Sequence, residues 1–149
     1  MSQACVAGWT NEVSWGLIFI GWFVVHKINL RQERRKEKRE AAYKACIELR
    51  ELERLAINFH TALGHDSRNA TDLRQSVARL ISHLQRAPLK ELKIRNQCLI
   101  QLRQSITRKN ADPSDFSAQT ADSDLVRNIR DATSDLIEVI EDGRERKWK

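Results

Sequence analysis

The chain has 149 residues, 41% of them hydrophobic and 31% charged, enough for one modest domain and an appendage. Its three cysteines, Cys5, Cys46 and Cys98, have neither CxxC nor metal-ligand spacing, which excludes a disulfide framework and a zinc site. The net charge of +6 is unevenly placed: residues 27–39 hold seven Lys or Arg against two Glu, residues 40–143 hold 15 against 16, and residues 144–149 hold four against one. A basic balance concentrated beside an apolar run reads as a juxtamembrane collar rather than a nucleic-acid-binding face, so nucleic acid is not an expected partner.

Residues 1–12, MSQACVAGWTNE, contain no Lys or Arg. They cannot form the basic start of a secretory signal and are expected to be a short extracytoplasmic terminus. Residues 13–30, VSWGLIFIGWFVVHKINL, are the expected transmembrane helix. Val13 to Val25 alone reaches only about 20 Å, short of a hydrocarbon core about 30 Å thick. Extended to Leu30, the run reaches about 27 Å if Lys27 carries its ammonium to the headgroups along its aliphatic stem. Gly16 and Gly21 are five apart, so no GxxxG helix-pairing seam is present.

Orientation follows from the cations, absent before this run and clustered after it, which puts the amino terminus outside and the body in the cytoplasm at the inner cell membrane. The expected interface residues are Trp15, Trp22, Lys27, Arg31, Arg34, Arg35, Lys36, Lys38, Arg39 and Trp148, facing anionic lipid headgroups. Residues 31–41 form a basic juxtamembrane stalk of good helix formers with no apolar face.

A helical bundle is expected over residues 42–143. Its first seam is Ala42, Ala45, Leu49, Leu52, Ala56, Phe59 and Leu63, at alternating spacings of 3 and 4, a coiled-coil heptad pattern. Leu55 and Ile57 widen the seam, and Gly64 reads as its stop. Asp66, Ser67, Asn69 and Thr71 are cap candidates for a second helix, about 72–86, with Leu73, Val77, Leu80, Leu84 and Ala87 on its face. Pro88 marks a boundary. A third helix, about 89–109, places Leu92, Leu99, Leu102 and Ile106 on one side, with Arg95 breaking the stripe.

A polar loop follows, with Phe116 expected to tuck back onto the bundle. A fourth helix, about 123–141, carries Leu125, Ile129, Ala132, Leu136 and Val139, with Val126, Ile137 and Ile140 alongside, and Gly143 as its stop. The fold class is therefore all-α: a single amino-terminal transmembrane helix continuing into a cytoplasmic antiparallel four-helix bundle. By helix parity the basic tail, residues 144–149, returns to the membrane-facing end.

The four histidines, His26, His60, His65 and His83, make no i, i+4 metal pair, and no HExxH, phosphate loop or nucleophile elbow occurs. No catalytic, cofactor-binding or metal-binding residue is expected, and the chain is not read as an enzyme. It is expected to act through protein–protein interaction, as an adaptor, assembly or regulatory component with an unknown protein partner, and homo-oligomerisation is compatible with its seams. The alternative is a membrane-active effector of toxin, lysis or anti-phage type that perturbs the bilayer on oligomerising. A third reading, a spanin-like envelope linker, needs the body outside the cytoplasm and is opposed by the basic collar.

Overall fold

The computed structural model describes residues 6–108 and 110–148 and, within the first helix, the side chains of Trp15 and of residues 18 onward. Among the described residues the chain forms four α-helices, α1 (Val6–Thr61), α2 (Ser67–Leu84), α3 (Asn96–Thr107) and α4 (Asp124–Lys147), with one 3-10 turn at Leu89–Leu92 and no strand. The chain divides into two units, residues 1–37 and 38–149, and α1 contributes to both.

Pairings within the second unit fix the helix directions. Glu48, early in the bundle part of α1, meets His83 at the end of α2 at 3.0 Å. Farther along α1, Leu55 and Phe59 share a groove with Ser76 and Leu73, so α1 and α2 are antiparallel. Arg39 meets Trp148, while Ile57 and Asn58 face Arg130 and Ser134, so α4 also opposes α1. His60 at the end of α1 reaches Ile106 at the end of α3, so those two run the same way. The up-down-up-down bundle follows.

Its core is one cluster of buried apolar side chains in which Leu49, Leu102, Ile106, Ile129, Leu136 and Ile140 are fully enclosed. The seams of α1 and α2 match their heptad reading. Leu49, Leu52, Phe59, Leu73, Val77, Leu80 and Leu84 are all buried. Leu63 and Ala87 are not: α1 ends at Thr61 and α2 at Leu84, and both side chains are exposed. Leu55 is likewise half-exposed rather than part of a widened seam.

Asp66 caps α2 by accepting from the Arg68 and Asn69 backbone N–H groups at 2.8 and 3.4 Å. The helix therefore starts five residues before Asp72, because the aspartate nearest the turn satisfies the first free N–H groups. The third expected helix is two pieces. Lys93 adopts a left-handed conformation with φ 54° and Arg95 an extended one, separating the 3-10 turn from α3. The break leaves Leu89, Leu92, Leu99, Leu102 and Ile106 buried and Arg95 in solvent.

In α4 the buried set is Val126, Ile129, Ala132, Thr133, Leu136, Ile140 and Gly143. Leu125 and Val139 are only partly buried, so the expected stripe is one residue out of register at both ends. Gly143 is not a stop, since the helix continues to Lys147. A β-carbon at Gly143 would stand 2.9 Å from Leu92 Cδ2, and the bare glycine lets the 3-10 turn pack against α4.

Among the described residues no helix is long and apolar enough to cross a membrane. The expected transmembrane helix over residues 13–30 is therefore not shown. Physically, its uncharged run is short, and His26, Lys27 and Asn29 interrupt it. Residues 1–5 of the expected extracytoplasmic terminus, and the side chains of Val13, Ser14, Gly16 and Leu17 within the expected span, lie outside the described residues.

Candidate functional site

In the first unit, Trp15, Ile18, Phe19, Ile20, Trp22, Phe23, Val24, Val25, Ile28 and Leu30 are all between 41% and 67% exposed. At 100° per residue, consecutive apolar positions such as 18–20 and 22–25 point to every side of the helix. This surface is apolar all round, a pattern that belongs to helices surrounded by lipid or by protein. The Trp22 indole stacks on His26, centroids 5.2 Å apart, and Lys27 lies over the Phe23 ring at 5.6 Å. Arg31, Arg34, Arg35 and Lys36 follow as an exposed basic run.

The remaining three residues read as interface groups belong to the bundle. Trp148 is 3% exposed and joins the core cluster. Its carbonyl accepts from Arg39 Nε at 2.6 Å, and Lys38 Nζ lies 6.0 Å from its ring centre. Lys38 also donates to both oxygens of Glu91, at 2.6 and 2.9 Å, and Lys147 donates to the Glu91 backbone carbonyl. The hydrogen bond from Lys38 holds the Glu91 carboxyl below the ordinary carboxylate range. Lys38, Arg39 and Trp148 thus tie the start of the bundle, the 3-10 turn and the end of α4 together. A buried indole cannot sit among lipid headgroups, which corrects the interface assignment of Trp148.

The opposite end of the bundle holds a polar cluster that sequence reasoning missed. His60 is fully buried, and its Nε2 lies 3.0 Å from the Ile106 carbonyl oxygen. Because a carbonyl only accepts, Nε2 carries the proton and Nδ1 accepts from the Asn110 amide at 3.3 Å. Asn110, itself in a left-handed conformation with φ 59°, takes the Ser117 backbone N–H on its Oδ1 at 2.5 Å. The His60 carbonyl receives the Gln119 N–H at 2.8 Å. Burial lowers the His60 pKa below the usual imidazole value, and the backbone groups of Ile106 and Asn110, which favour the charged ring, only partly oppose that. Around it, Phe59, His65 and Phe116 contact one another edge-to-face at 5.3–5.8 Å, so Phe116 does anchor its loop.

Besides the groove at Leu55, Phe59, Leu73 and Ser76, two others flank α1. The larger, about 610 Å³, lies against α4 and is lined by Arg50, Glu53, Arg54, Arg130, Glu138 and Glu141, with acids and bases interspersed. Burial raises the Glu53 carboxyl pKa, which Arg130 and Arg50 partly offset. Burial and then the Glu141 charge push the Cys46 thiol up, away from the reactive thiolate. The other groove, against α2, is lined by Glu48, Leu52, Leu55, Arg79 and His83. No cluster of three or more His, Cys, Asp or Glu suited to a metal ion occurs among the described residues. Comparison with known proteins gives no match: no family model, no curated protein and no solved structure is similar to this chain.

Proposed function

We propose that the protein is a helical bundle anchored in a membrane through residues 13–30, and that it works by binding another protein there. The observation supporting this is the helix from Trp15 to Leu30, ten of whose large apolar side chains are at least 41% exposed. Burying even one such side chain stabilises by about 1.5–3 kcal/mol, so ten left in water represent a strong drive toward an apolar phase. The bilayer is the phase that suits this helix, because the exposed basic run of Arg31, Arg34, Arg35 and Lys36 follows directly and matches anionic headgroups. Between Trp15 and Val25 there is no charged residue to line a pore, which favours an anchor over a membrane-perturbing effector.

In this reading the amino terminus lies outside and residues 38–149 lie in the cytoplasm at the inner membrane. Anchoring raises the effective concentration of the bundle for partners on the same surface. The partner surface is the outward side of α1, where Tyr43, Ile47 and Leu55 are exposed beside the two grooves.

Alkaline carbonate extraction of cells making the full chain tests the anchor. The wild type should stay with the membrane pellet, while Phe19→Asp combined with Val24→Asp should move to the supernatant. Release of the wild type, or retention of the double variant, overturns the proposal. A lone cysteine at Leu63→Cys, in a background without other cysteines, should react with an impermeant maleimide only after the cells are permeabilised. Labelling of intact cells would place the bundle outside.

A further inference from the structure

We propose that His60 and Asn110 form an acid-sensitive latch that holds the α3–α4 loop onto the end of α1 and releases it when the imidazole gains a proton. Both ring nitrogens of His60 are committed: Nε2–H donates to the Ile106 carbonyl, and Nδ1 accepts from Asn110 Nδ2. Asn110 is committed as well, because its Oδ1 accepts from the Ser117 backbone N–H. Each group therefore has one orientation that satisfies its neighbours.

A proton from solvent can add only at Nδ1, since Nε2 already carries one. It turns Nδ1 from acceptor to donor, facing the donor Nδ2 of Asn110. Turning the Asn110 amide over would present Oδ1 to the imidazolium but strip the Ser117 N–H of its acceptor. Leaving the amide in place sets two donors 3.3 Å apart beside a buried positive charge. Either outcome breaks the side-chain link between α1 and the loop, leaving the Asn110 backbone contact and the Gln119 N–H bond to the His60 carbonyl as the remaining restraints there. Loop release also uncovers Phe116, which packs on Phe59 and His65. The switch thus converts a proton into an exposed aromatic surface at one end of the bundle.

Among the described residues no carboxylate is hydrogen-bonded to the His60 ring. From α2, Arg74 is engaged with Asp112 Oδ1 at 2.5 Å and with the Ala111 carbonyl. His65, after α1, contacts the Ala111 carbonyl at 3.3 Å. Asp124 of α4 is paired with Arg127, Asp115 of the loop is exposed, and Arg108 ends α3. Burial therefore outweighs the Ile106 and Asn110 backbone groups that favour the charged ring, and the direction of its pKa, downward, agrees with a neutral latch at neutral pH.

Amide hydrogen exchange on the full-length chain in detergent micelles tests the latch. After correction for intrinsic exchange rates, protection at Ser117 and Gln119 should fall several-fold between about pH 7.5 and about pH 5.0. In His60→Gln the dependence should vanish, while His65→Gln should keep it. Where His60→Gln does not fold, the wild-type imidazole is titrated by NMR, and its midpoint should coincide with that of loop opening. Acid-independent protection in the wild type, an acid response that survives in His60→Gln or is lost in His65→Gln, or separate midpoints would each overturn the proposal.

Discussion

A hydrogen atom at position 143 decides how closely the 3-10 turn approaches α4. Adding a methyl there places it 2.9 Å from the end of the Leu92 side chain, which must shift. Gly143→Ala also gains about 1 kcal/mol of helix propensity, so the two effects should nearly cancel. Gly143→Leu gains similar propensity but must fit a far larger side chain against Leu92, and should cost about 1–3 kcal/mol net by overpacking, read from urea denaturation midpoints.

His60 supplies the complementary case, in which a charge rather than a volume is unwelcome. Its pKa is lowered in the folded state, so the unfolded chain binds the proton more readily. Its stabilising contribution is complete above about pH 6.5, the unperturbed value, and is lost as pH falls toward the depressed folded value. Thermal midpoints should therefore decline below about pH 6.5 in the wild type, with a shallower decline in His60→Gln. Neither residue was readable from sequence. Gly143 follows the fourth apolar stripe and resembles a helix stop, and His60 stands one step beyond a seam position. What makes each structural is a partner distant in sequence, Leu92 for one and Asn110 for the other.

At the scale of elements, the heptad pattern separated core from surface along α1 and α2 and failed only where it ran past their ends, at Leu63 and Ala87. Leu49→Ala and Leu136→Ala, both at fully buried positions, should each destabilise by about 2–5 kcal/mol. Leu63→Ala lies on the extrapolated seam but is wholly exposed, and should change stability by no more than about 0.5 kcal/mol. Equal losses at all three positions in chemical denaturation would contradict the bundle.

The stripe of α4 went out of register because two of its true positions, Thr133 and Gly143, are not hydrophobic. Spacings of 3, 4, 3, 4 and 3 through Val126, Ile129, Thr133, Leu136, Ile140 and Gly143 emerge only once those two are admitted. The Thr133 hydroxyl is tolerated because it donates to the Ile129 carbonyl at 2.9 Å. The split of the third helix was equally hidden. Lys93 has no residue-type preference for the left-handed conformation it takes, and packing of Leu89 and Leu92 accompanies that choice.

For the whole molecule, the class of fold was legible because long charged segments with few glycines and prolines admit little besides helices. The apolar run of residues 13–30 was legible as composition but does not establish a span, since eighteen residues including Lys27 sit at the lower edge of what a bilayer requires. The tail was the least legible part: a tryptophan among cations suits a membrane interface and a brace across the bundle equally well in sequence. Its burial decides for the brace. Trp148→Ala should cost about 3–5 kcal/mol of bundle stability, and removal of residues 144–149 should lower the thermal midpoint of the bundle.

The same burial divides the intrinsic light emission of the protein between its two units. The sequence has four tryptophans, and three of them, Trp9, Trp15 and Trp22, precede residue 38. Trp148 is then the sole indole of residues 38–149, enclosed in a dry setting beside the Lys38 ammonium. A chain carrying phenylalanine at the first three positions becomes a single-fluorophore probe: short-wavelength emission while the bundle is closed, red-shifted emission when its terminal brace opens. The converse chain, with Trp148→Phe, reports by collisional quenching only on the polarity around the first unit. One protein thus holds separable optical signals for bundle integrity and for the phase in which its apolar helix resides.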